Sequence, residues 1–226
     1  MNWLIAFLTS TVGRKLLIGF TGLFLCFFLV VHLTGNLLLY PGDAFYNEYA
    51  HKLHSNEEFL IIAEVLLFSA FAVHILVALQ ISIGTNWTAR KSRYAMTQTK
   101  REDRNVNIFG LTPDTTMLVT GIVILGFLIT HISDFKLEVW WDMEGLEPAD
   151  KAKMVLTDLS RIVIYLLGAV AVGIHVSHGL YSACQTVGFN HPKYMPAIKK
   201  LSVLFGIVVA VGFGSFPVLS RVLWGN

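Results

Sequence analysis

The chain is organised by long apolar runs separated by short polar connections. A hydrocarbon core of about 30 Å takes roughly 20 helical residues to cross. Five runs are long enough: 16–39, 59–83, 115–133, 160–187 and 201–220. The pattern predicts an all-α membrane protein in which residues 1–226 form one bundle of five transmembrane helices. The opening stretch MNWLIAFLTSTVG is apolar but too short to span. No small-residue cleavage site follows it, so it is read as a helix in the interface or against the bundle, not a signal peptide. Pro217 falls near the end of the last run, where a lost backbone bond costs least.

The polar positions orient these runs. Eleven of the 17 Lys and Arg residues precede the first run or lie between the second and third or the fourth and fifth: Arg14, Lys15, the cluster from Arg90 to Arg104, and Lys193, Lys199 and Lys200. By the positive-inside rule these segments are cytoplasmic, with the N-terminus inside and the C-terminus outside. The connection 134–158 carries seven carboxylates and is expected to be a solvated acidic loop on the outer side.

Composition agrees, with 54% hydrophobic and 14% charged residues. A net charge of +2 is too small to suggest a nucleic-acid partner. Cys26 and Cys184 lie in apolar runs and read as buried thiols. There is no CxxCH for covalent haem attachment and no GxGxxG or P-loop for a nucleotide.

Histidines inside the runs are the unusual chemistry. His32 lies sixteen residues after Leu16 and His131 sixteen after Thr115, on helices running outward. At 1.5 Å per residue both sit about 24 Å from the inner boundary. His74 lies fifteen after Phe59 and His175 sixteen after Leu159, on helices running inward, which places them about 20 to 24 Å from the outer boundary. A single buried imidazole usually means an interhelical hydrogen bond. Four, one per helix and matched by depth, suit two six-coordinate haem irons, each taking one imidazole from either of two facing helices. The irons would stand roughly 15 Å apart along the membrane normal. Gly19, Gly22, Gly121, Gly126, Gly168 and Gly173 precede these histidines. They read either as room for a flat ring or as ordinary small-residue helix packing. His178 projects from the same side of its helix as His175 and is an alternative ligand or a neighbour of one.

The stretches GRKLLIGFTGLFLCFFLVVHLTGNLLLY, AFYNEYAHKL, EVLLFSAFAVHILVALQ, ITHISDF and HVSHGLYSACQTVGFNHPKY extend the argument. Over nearly its whole length the chain resembles the five-helix dihaem cytochrome b subunit of succinate:quinone oxidoreductases, the succinate dehydrogenases and fumarate reductases. The resemblance implies two non-covalent haem b groups, a quinone, with menaquinone favoured, and a flavoprotein and an iron–sulfur subunit on the inner face of a bacterial cytoplasmic membrane. It pairs His32 with His131 at the outer haem and His74 with His175 at the inner one, and the HxxxGL[WY] motif favours His175 over His178.

It also implies a carboxylate that takes protons from the quinone near the outer haem. Glu48, near His51 and His54, is the candidate, its other reading being a solvated loop carboxylate. Glu64, inside the second run, is expected to protonate, to pair with Arg161 or another base, or to serve a proton route. Some relatives have a glutamate two residues before the fourth histidine, where this chain has Gly173. Two other functions fit the buried histidines: the cytochrome b subunit of a membrane hydrogenase or formate dehydrogenase, and a haem-free proton transporter.

Overall fold

The computed structural model describes residues 2–85 and 113–225. The basic cluster from Arg90 to Arg104 lies outside the described residues. Eight α-helices follow one another: α1 Trp3–Thr9, α2 Thr11–Leu37, α3 Asp43–His54, α4 Glu57–Leu79, α5 Pro113–Phe135, α6 Pro148–Thr157, α7 Leu159–Val187 and α8 Met195–Leu223. A π-helical stretch, Gln80–Thr85, extends α4. No strand occurs among the described residues. Five helices are long and apolar enough to cross a bilayer, α2, α4, α5, α7 and α8, matching the five apolar runs. The chain is an all-α, multi-pass membrane protein.

The helices outrun the apolar stretches because polar caps set their ends. Ser10 accepts a bond from the Gly13 N–H at 3.0 Å and starts α2 ahead of Arg14 and Lys15. Asn56 caps α4 through the Phe59 N–H, and Asp158 caps α7 through the Arg161 N–H. The Ser160 hydroxyl and that N–H hold the Asp158 carboxyl below its ordinary range. At its far end α7 stops at Gly188, whose φ of 106° is open to glycine and strained for other residues. There the Phe189 N–H reaches back to the Cys184 carbonyl at 2.9 Å, the long bond of a Schellman closure.

α7 is the organising helix and packs on α8, α5 and α2, while α4 packs on α2. The α7–α8 crossing is backbone on backbone. A Cβ at Gly173 would fall 2.6 Å from the Gly206 carbonyl oxygen, and one at Gly206 2.5 Å from the Gly173 oxygen. Apolar tails of lipid offer no net gain from burying more hydrocarbon, so such close approach, with its dispersion contacts, is what joins helices in a membrane. The outward faces stay apolar and uncovered, as at Phe20, Phe27, Ile61, Leu66, Ile122 and Ile129. Water would not tolerate that surface, and lipid does.

One end of the bundle is capped. α3 and α6 lie across it, tied by Asn47 Oδ1 accepting the Ala149 N–H at 2.8 Å and by ion pairs Lys153–Asp43 and His51–Glu147. Leu39, Met143, Phe216 and, from α6 itself, Ala149 and Val155 form a buried core there among the described residues. The connection 134–158 is therefore not the solvated acidic loop the carboxylate count suggested. Asp134 is buried, Asp158 caps α7, and on α6 one helical face, Ala149, Ala152, Val155 and Leu156, turns inward. Glu48 likewise sits on a helix, α3, and not in a loop.

Substituting Gly206→Ala should push α8 off α7. Overpacking of this kind costs roughly 1–3 kcal/mol, read as a lower thermal midpoint of the purified protein in detergent.

Candidate functional site

Two pairs of imidazoles face each other inside the bundle. His32 of α2 meets His131 of α5 with ring centres 5.8 Å apart and planes at 77°. His74 of α4 meets His175 of α7 at 6.4 Å and 69°. Neither α2 with α5 nor α4 with α7 is a main packing contact, so each pair bridges helices that the rest of the bundle holds apart. The His32–His131 pair lies toward the capped end and the His74–His175 pair toward the other.

The surroundings of the two pairs differ. At the far pair, the Thr21 hydroxyl of α2 lies 3.1 Å from His74 Nδ1, and the Thr120 hydroxyl of α5 lies 3.0 Å from His175 Nδ1. The next residue in each case is a glycine against the ring: a Cβ at Gly22 would stand 3.4 Å from His74 Cε1, and one at Gly121 3.7 Å from His175 Cε1. At the capped-end pair the neighbours are aromatic. Phe28 stacks on His32 at 5.2 Å and Phe213 lies at 5.5 Å. Phe127, Phe135 and Tyr165 surround His131. His131 Nδ1 is buried and has no hydrogen-bond partner.

Beside His131 stands a buried charge network. Asp134, with no exposed surface, accepts bonds from Arg161 Nε at 2.9 Å, Tyr165 OH at 3.0 Å and Trp141 Nε1 at 3.1 Å. The Arg161 guanidinium also lies over the Trp141 ring. An ionised carboxylate in that position is tolerable only because every side of it is answered. It fixes α7 to the end of α5 and holds Tyr165 against the His131 ring.

A haem iron would take one nitrogen from each of two rings that face one another, and both pairs offer that, with ring centres 5.8 and 6.4 Å apart. No group of three or more His, Cys, Asp or Glu side chains converges among the described residues. Two protein donors per level suit a macrocycle that brings four nitrogens of its own better than a bare cation. His32, His131, His74 and His175 are the residues that would hold it.

What the fold and these pairs define is a multi-pass helical membrane protein with two internal imidazole pairs. No protein-family model matches the chain, and comparison with curated proteins and with solved structures finds no match.

The other sequence candidates fall as follows. His178 lies one turn beyond His175, half-buried, with Lys199 of α8 as a charged neighbour, and faces none of the other three histidines across the bundle. Glu48 is exposed on α3, bonded to Lys52 at 2.6 Å, and that lysine holds its carboxyl below the ordinary range. Glu64 pairs with Lys136 of the capped end, and Arg161 is committed to Asp134. Of the glycines, Gly22 of α2 and Gly121 of α5 lie against a histidine ring. Gly19 packs on Thr186, Gly168 on Phe127 and Gly173 on α8, while Gly126 meets no atom within 4 Å. A glutamate at position 173 would have to displace α8.

Sequence reading did not single out Thr21, Thr120, Asp134, Trp141 or Tyr165. For Asp134 a signal existed: a carboxylate three residues after a buried histidine shares its helix face. Replacing it by alanine leaves Arg161 buried without its partner. A loss of about 3–5 kcal/mol is expected, measured by denaturation of the purified protein, and an added Arg161→Met change should recover part of it.

Proposed function

We propose that this chain is a dihaem cytochrome b that carries electrons between an iron–sulfur partner and membrane quinone, as the anchor subunit of a succinate dehydrogenase or fumarate reductase. The observation that carries the reading is the pair of imidazole couples, each spaced for one iron between two rings. Haem at each level supplies a one-electron carrier whose potential the ligands and their neighbours tune. The protein's own part is placement. α2 and α5 present His32 and His131 near the capped end, and α4 and α7 present His74 and His175 near the other.

The resemblance supplies the partners. By the distribution of Lys and Arg the capped end is outer and the far end inner, in a bacterial cytoplasmic membrane. The flavoprotein and iron–sulfur subunits then dock on the inner side, beside the His74–His175 pair, and succinate chemistry resides on them. Two carriers stacked across the bilayer let electrons cross its low-dielectric interior in two short steps. The Asp134–Arg161 network and the phenyl rings at the outer pair exclude water from the imidazoles there. Menaquinone is the quinone the resemblance favours, with Glu48 as the outer carboxylate that takes its protons. Its ion pair with Lys52 makes Glu48 a weaker base than a free carboxylate.

A pyridine haemochrome assay of the purified complex should give two haems per copy of this chain. Alanine at His32 or His131 should remove one, and alanine at His74 or His175 the other, the two losses differing in redox titration. His178→Ala should keep both, and a chain without haem would overturn the reading. Glu48→Gln should slow quinol oxidation with haem content unchanged.

A further inference from the structure

The far imidazole pair is held by two equivalent steps of sequence, Thr21-Gly22 on α2 and Thr120-Gly121 on α5. Each lies on a helix whose own histidine belongs to the other pair. The Thr21 hydroxyl is 2.7 Å from the Leu17 carbonyl oxygen, and the Thr120 hydroxyl 2.7 Å from that of Thr116. A hydroxyl has one proton to give, and here the backbone carbonyl one turn earlier takes it. Toward the ring nitrogen, at 3.1 Å for His74 and 3.0 Å for His175, the same oxygen can then only accept. That bond requires Nδ1 to carry its hydrogen. A neutral imidazole protonated at Nδ1 has its free lone pair on Nε2.

We propose that Thr21 and Thr120 are positioning residues: by accepting the Nδ1–H of His74 and His175, they fix both rings in the tautomer that offers Nε2 to a metal. The glycine that follows each threonine lies beside the same ring, where a Cβ would be in ordinary van der Waals contact with Cε1, at 3.4 Å for Gly22 and 3.7 Å for Gly121. The device is confined to this pair. His131 Nδ1 has no partner, and His32 Nδ1 has the Asn36 amide nitrogen at 3.3 Å, which also donates to the His32 carbonyl and cannot accept. A ligand imidazole that gives its second N–H to an acceptor is more basic, which favours the oxidised metal. The two haems of the proposed function, on which this inference rests, are therefore tuned differently by the protein.

Thr120→Val removes the hydroxyl acceptor of His175, and Thr21→Val that of His74, where the Ile18 carbonyl stays as a second acceptor and makes the expected effect smaller; the serine variants restore the hydroxyl. Each would be made in the intact membrane complex and read by haem count, by the low-spin ferric resonances and by redox titration. The valine variants should shift the resonance of one haem and raise its midpoint potential, leave the other haem unmoved, and the serine variants should match wild type. Loss of that haem in a valine variant with its retention in the serine variant also supports the assignment. Valine variants indistinguishable from wild type, serine variants that behave as valine, or a shift in the other haem overturn it. A wild-type complex with no haem overturns the proposed function itself, a result distinct from two haems with unmoved valine variants.

Discussion

An imidazole inside a hydrocarbon layer has no water to answer its nitrogens, so it is costly unless protein groups surround it suitably. Much of the bundle follows from that constraint. Four helices each bring one histidine inward, and each ring finds another ring across the axis. The helices carrying a pair are not packing neighbours. They are held at that distance by α7 and by the helices that flank it, so the spacing between paired rings belongs to the scaffold and not to the histidines. The ring centres, 5.8 and 6.4 Å apart, are kept there by the packing of α7 on α2 and α5 and of α2 on α4.

The two levels solve the same problem with different materials. Near the capped end the rings are walled by phenyl groups, and the polarity there is gathered into one saturated cluster around Asp134. At the other end hydroxyls reach the ring nitrogens directly. Low dielectric magnifies both arrangements, because an unanswered polar atom there costs more and a well-made bond holds more firmly. The cap formed by α3 and α6 adds an aqueous-side lid whose ion pairs, Lys153–Asp43 and His51–Glu147, are exposed and of small energetic weight. Its apolar underside, not its charges, holds it down.

The five spans were legible because 20 apolar residues in sequence have one stable arrangement in a bilayer. The pairing of histidines was legible for a related reason: depth in a straight helix is a count of residues, and two rings at one depth can meet. The same counting misplaced the acids of 134–158. Seven carboxylates look like a solvated loop when summed. Asp134 differs from the other six only in what surrounds it, namely Arg161, Tyr165 and Trp141, which lie 27, 31 and 7 residues away in the chain. Glu64 shows the reverse: Arg161 was near enough in depth, yet Lys136 is its partner.

The sequence by itself determined the class of protein, the number of spans and the depth of each histidine, because those depend on one-dimensional quantities, run length and rise per residue. Only the tertiary structure decided which glycines face a ring, which hydroxyls reach a ring nitrogen and which carboxylate is buried. Those depend on the rotation of each helix about its axis relative to its neighbours. Rotation is set by packing between segments far apart in the chain, and no local pattern encodes it.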